Sequence, residues 1–115
     1  MRLDRERLLD ILEAIEAIER HAPNDKRDFI ADELVRVWCL RHLEIIGEAA
    51  ANISDHGRAL APEIPWRQIV GMRNTLIHAY FNVDWNAVWA VIDRDIQPLK
   101  AALLGLLQRM GGENE

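Results

Sequence analysis

An arginine, an asparagine, a histidine and a tyrosine stand within eight positions of one another in the stretch "GMRNTLIHAYF", Gly71 to Phe81. His78 brings an imidazole that titrates near neutrality, and so a group able to take or give a proton. Arg73 brings a permanent cation with a forked set of donors, Asn74 an amide, and Tyr80 a phenol. No Ser or Cys nucleophile lies beside the histidine. No second His or carboxylate stands at a metal-ligand spacing from it, since Asp84 is beyond a turn. A metallohydrolase site is therefore not indicated, and neither metal nor cofactor is expected. The set suits cleavage of RNA. That substrate carries its own nucleophile, the ribose 2′-hydroxyl. The enzyme need supply only a proton-transfer group and positive charge on the transition-state phosphate. The same residues also fit a plainer role, with His78 closing a helix end and the Arg-Asn pair holding a turn. Both readings stand at this point.

The elements that must position these groups are helical in pattern. Leu8, Ile11, Leu12, Ile15 and Ile18 form one stripe over a first helix from about Leu3 to Arg20, ended by "HAPND". A second helix is expected from Asp28 to Asn52. Its stripe is Phe29, Ile30, Leu34, Val37, Trp38, Arg41, Ile45 and Ala49, over about 37 Å at 1.5 Å per residue. Gly47 would allow a kink or a close helix crossing. A short helix is placed near Asp55 to Leu60. The third main helix starts at Pro65 or Trp66 and runs to about Tyr80. On it Asn74 and His78 are one turn apart on one face, with Arg73 about 140° from His78 around the axis but long enough to curl back. Asp84 is the expected N-cap of the last helix, which uses Trp85, Val88, Trp89, Ile92, Ile96, Leu99, Leu103 and Leu106 and frays after Met110. The fold class is all-α, an antiparallel bundle of four to five helices, in a single domain over 1–115.

Composition bounds the alternatives. The formal net charge of −5 argues against broad, non-specific nucleic-acid binding, though not against a local basic site. Arg58, Arg67 and Arg73 outnumber Asp55 and Glu63 around the motif, and His56 with Arg58 would extend a phosphate-binding rim. Lys26 and Lys100 are the two lysines; the other twelve cations are arginines. The lone Cys39 permits no intrachain disulfide and is expected in the core. No apolar run reaches the roughly 20 residues of a membrane span, and the charged N-terminal stretch has no signal-peptide pattern. A cytoplasmic location away from membranes is expected. The four tryptophans lie on apolar stripes and are expected to pack. Glu48, set among small apolar residues, needs a partner if buried, and Arg41 or Arg73 would supply one. Simple surface exposure is the alternative.

"RNTLIHAY" resembles the R-x4-H-x-Y motif of HepT-like proteins, a branch of the HEPN superfamily of helical, metal-independent ribonucleases. "LEIIGEAAANIS", "PEIPWRQIVGMRN" and "HAYFNVDWNAVW" resemble further stretches of that family, in the same order and over nearly the whole chain. The resemblance implies a homodimeric RNA endonuclease acting as the toxin of a type II/VII toxin–antitoxin system. Its partner would be an MntA-like nucleotidyltransferase antitoxin that places AMP on the motif tyrosine. Carried onto this chain, Arg73 and His78 are the catalytic pair, Asn74 a supporting polar residue and Tyr80 the AMP acceptor, with Glu48 and Arg41 as supporting groups. The rival is a non-catalytic module of the same fold that partners the nucleotidyltransferase. A purely structural helical dimer is the third reading.

Overall fold

Four short polar side chains open four helices. The carboxylates of Asp25, Asp32 and Asp84 accept from the backbone N–H of Asp28, Val35 and Ala87, and the Ser54 hydroxyl accepts from Gly57. Each satisfies a donor that the first helical turn leaves unpaired. In the computed structural model, which describes residues 3–79 and 82–112, the chain is an all-α bundle carrying one small hairpin. Its helices are α1 (Asp4–His21), α2 (Lys26–Ala31), α3 (Glu33–Ala51), α4 (Asp55–Ala59), α5 (Trp66–Val70) and α6 (Met72–Leu76). The strands β1 (Ile77–Ala79) and β2 (Asn82–Val83) follow. The chain closes with α7 (Trp85–Ala90), a π-helical turn (Val91–Asp95) and α8 (Ile96–Gly112).

The α1 stripe is as expected: Leu8, Ile11, Ile15 and Ile18 are buried. They share one core with Cys39, Leu43, Ile46 and Ala50 of α3, Phe29 of α2, Val88 of α7, and Leu103 and Leu106 of α8. The expected face of the second helix is wrong. Leu34 is 82% exposed, Val37 53% and Trp38 38%, while Cys39, Leu43, Ile46 and Ala50 point inward. At Asp32 an extended backbone (φ −111°, ψ 98°) ends α2 and the side chain caps α3, so the two are not one helix. The expected stripe follows Ile30, itself exposed, to Leu34, Val37 and Trp38, whereas the buried side runs from Phe29 to Leu43, about four turns on. Trp38 rests over α1 with its indole N–H donating to the Ala17 carbonyl at 2.8 Å. His21 and His42 sit against its ring, with centroids 5.0 and 4.3 Å away.

The last helix carries a second surprise. Pro98 has no N–H to give the carbonyl of Arg94, and its ring crowds that oxygen. Arg94 lies in the π-helical turn, where the wider i→i+5 pattern makes room. The helix thus passes Pro98 without breaking. Among the described residues no helix is long and apolar enough to cross a membrane.

Candidate functional site

Gly47 lies on α3 where α5 crosses, so near that a Cβ there would stand 3.3 Å from the Ile69 carbonyl oxygen. That close approach carries α6, two residues beyond α5, alongside the C-terminal half of α3. Glu44, one turn before Gly47, then meets Arg73 of α6: the arginine Nε donates to Glu44 Oε2 at 3.1 Å. The arginine side chain stays 67% exposed, the glutamate only 23%. Beside the pair lies a cleft of about 170 Å³, lined by Gly47, Glu48, Ala51, Val70 and Met72 among others.

The third main helix does not run to Tyr80. It breaks at Gly71, resumes as α6 and stops at Leu76, because Ile77 turns extended (φ −117°, ψ 108°). The backbone N–H of Asp84 donates to the Leu76 carbonyl at 2.8 Å and closes the hairpin there. His78 therefore sits on β1, and the helical face expected to join it to Asn74 does not exist. Ile77 pairs with Val83 and Ala79 with Asn82. The ladder thus advances two residues on β1 and one on β2, leaving His78 as the extra residue, as in a β-bulge. Such an insertion re-aims a side chain out of the regular pleat. The imidazole is exposed, with Nε2 3.9 Å from Asp84 Oδ2. Asp84 thereby serves twice, since its Oδ1 caps α7.

Asn74 and Arg41 are exposed. Glu48 is exposed as well, and the carboxylate that pairs with Arg73 is not Glu48 but Glu44. Tyr80 lies outside the described residues. Arg58 does not extend a phosphate rim. Its Nη2 donates to the carbonyl of Ala50 at 3.0 Å and, at 3.4 Å, to that of Ala51, so it closes the C-terminus of α3. Among the described residues no three His, Cys, Asp or Glu side chains gather as a metal site.

Comparison with known proteins decides the family. The model of the HepT-like ribonucleases, described as "Ribonuclease HepT-like", matches residues 11–104. The chain belongs to the HepT-like family. It is 45% identical over 100 residues to a probable ribonuclease HepT of Thermococcus cleftensis, covering 86% of this chain and 91% of that one. It is 40% identical over 94 residues to a putative RNase of Methanocaldococcus jannaschii, covering 81% and 86%. A putative RNase of Caldanaerobacter subterraneus is 36% identical over 110 residues, covering 95% and 98%. No solved structure matches. The HepT-like match includes both halves of the site, α3 with Glu44 and the segment from Arg73 to Asp84.

Two neighbours of the HepT-like motif escaped the sequence reading. Glu44 could have been found from the small residues beside it: Gly47 and Ala51 follow it at helical spacing along α3. Gly and Ala at such spacing mark where another helix comes close. Asp84 was visible as a cap but set aside as too distant from His78; the hairpin brings it back.

Proposed function

We propose that this protein is a metal-independent endoribonuclease, the toxin of a toxin–antitoxin pair, silenced when a nucleotidyltransferase places AMP on Tyr80. The observation that carries the reading is the pairing of family with geometry. A HepT-like chain presents an exposed arginine and an exposed imidazole at the two ends of the α6–β1 joint. In this mechanism the 2′-hydroxyl attacks phosphorus and the 5′-oxygen leaves, giving a 2′,3′-cyclic phosphate. His78 takes or gives the proton in transit, and Arg73 holds charge on the non-bridging oxygens. Asn74 adds a hydrogen bond. Since the nucleophile belongs to the substrate, no metal-bound hydroxide is needed. The acidic whole suits a single-phosphate site better than a long nucleic-acid track.

Tyr80 is two residues from His78 in sequence. Its phenol oxygen would attack the α-phosphorus of a nucleoside triphosphate and release pyrophosphate. The product puts bulk and negative charge next to the residues that must receive an RNA phosphate, and Arg73 is a ready partner for it. The toxin would act as a cytoplasmic homodimer. The outward strip of Leu34, Val37 and Trp38 on α3 supports this, since it offers apolar surface to a second copy.

The test has two arms. Unmodified protein is assayed for RNA cleavage with chelator present, beside His78→Ala. Protein made with and without a partner nucleotidyltransferase is mapped by mass over Gly71 to Phe81. Chelator-resistant cleavage lost in the variant, with AMP mass on Tyr80 only after co-expression and cleavage abolished there, is the expected result. AMP on Tyr80 without cleavage in the unmodified sample would mark a non-catalytic partner instead.

A further inference from the structure

We infer that Glu44 is the positioning residue of the phosphate subsite: by holding Arg73 through Nε, it turns the two terminal nitrogens of the guanidinium outward to receive a phosphate. This rests on the reading of Arg73 as the phosphate ligand. An arginine has one N–H on Nε and four on its terminal nitrogens, and the edge between those two is a bidentate fork for phosphate. A carboxylate placed on that edge would occupy the fork. Glu44 takes the Nε instead, at 3.1 Å, and two-thirds of the arginine side chain still meets solvent.

The pair is unequal in a way that suits positioning. Glu44 stands near the middle of the 19-residue α3 and is largely covered. Arg73 extends from a five-residue helix. The anchored member is the carboxylate, and the long, flexible member is the one it restrains. An unrestrained arginine gives up much rotamer freedom when fixed. A guanidinium already held by one nitrogen has met part of that cost before substrate arrives, which is how orientation lowers a barrier. The Gly47 crossing fixes the separation of α3 and α6 on which the bond depends. Glu48, one turn further along, lines the same cleft, but the carboxylate that pairs with the arginine is Glu44.

A carboxylate beside a phosphate site also repels the phosphate, so positioning and competition predict opposite outcomes. Glu44→Gln keeps a carbonyl oxygen to accept from Nε and removes the charge; Glu44→Ala removes both. The Arg73 Nε–H signal, assigned by its loss in Arg73→Lys, is followed by proton–nitrogen NMR in each variant. It is titrated with inorganic phosphate, and RNA cleavage is measured in parallel. The expected result is an exchange-protected Nε–H in wild type and Glu44→Gln, but not in Glu44→Ala. Phosphate should shift it in the first two only. Glu44→Ala should lower kcat about 10- to 100-fold with little change in KM, and Glu44→Gln should recover to within about threefold of wild type. Faster cleavage in Glu44→Gln would overturn the inference, because the carboxylate would then be competing for the arginine. Wild-type kcat in Glu44→Ala, or an unprotected Nε–H in wild type, would overturn it too. If wild type cuts no RNA, the ribonuclease reading falls, and the phosphate titration alone decides whether Glu44 orients Arg73.

Discussion

The α1–α3 frame and the segment from Met72 to Val83 are built on opposite terms. The frame buries Leu8, Ile11, Ile15 and Ile18 against Cys39, Leu43, Ile46 and Ala50, each side chain at most 2% exposed apart from Ala14 and Ala17 nearby at 3%. In the segment, Leu76 alone is buried among the described residues. Around it Met72, Ile77 and Val83 pack half-buried at the edge of the core, the β1–β2 pairing joins the strands, and polar ties complete the hold: Arg73 to Glu44, the Asp84 N–H to the Leu76 carbonyl, and Asp84 facing His78. Stability resides in the frame, and the groups able to do chemistry reside on a lightly anchored strip laid against it. Substitutions in the two regions should therefore separate folding from catalysis.

The largest effect is expected at His78. Replacement by alanine should lower RNA cleavage by about 10²- to 10⁴-fold, the range for losing a proton-transfer group. The denaturant midpoint should hardly move, since the side chain is exposed and a surface change is worth within about 0.5 kcal/mol. A large loss of stability in that variant would break the comparison, because the histidine would then belong to the frame.

Leu43→Ala is the converse. At 1% exposure it should cost about 2–5 kcal/mol in a urea unfolding experiment, through lost transfer energy and a cavity. Cleavage per folded molecule should stay near wild type. A fall of tenfold or more would show that the strip senses the packing beneath it.

The smallest expected effect is a matter of pH. Burial pushes the Cys39 thiol from near 9 up to about 11. The folded state keeps the proton that the unfolded chain releases, so this contribution is intact below about pH 9. It is lost as pH rises toward 11, amounting to roughly 2 kcal/mol at 1.36 kcal/mol per unit. Subtracting the pH–stability curve of Cys39→Ala isolates it from Lys100, whose raised value through its bond to Glu19 acts in the same direction. A flat difference curve would mean the thiol is not sealed in the frame.

Much of the frame could be read from residue order. The α1 stripe, the Asp84 cap, the short α4 and the close crossing at Gly47 all follow from local chemistry that tertiary structure leaves in place. The errors have two physical origins. A stripe can start from either of two adjacent apolar residues, and the one from Ile30 leads to the exposed side of α3 while the one from Phe29 leads to Leu43. Periodicity also carries a helix forward only while the backbone is continuous, and Asp32 and Leu76 both end helices whose apolar pattern runs on. At Leu76 the stop depends on a hydrogen bond from Asp84, eight residues later, which no local rule foretells. The motif residues themselves were legible by type and by resemblance. Their neighbours Glu44 and Asp84 were not, because each comes from an element whose approach had first to be known.

The wide turn at Val91–Asp95 also limits how this chain can change length. The connection between α1 and α2, exposed at Asn24 and Asp25, can gain residues at little cost to the bundle. The last helix cannot. The wide turn holds five residues in about the arc of four α-helical ones, so deleting one there would restore ordinary winding and leave the helix beyond nearly unrotated, but Pro98 would meet a carbonyl with no room to yield. A residue added between Pro98 and Leu103 would rotate everything beyond it by about 100°, and Leu103 and Leu106 would swing out of the core. An added residue is silent in one part of this molecule and a misfold in another.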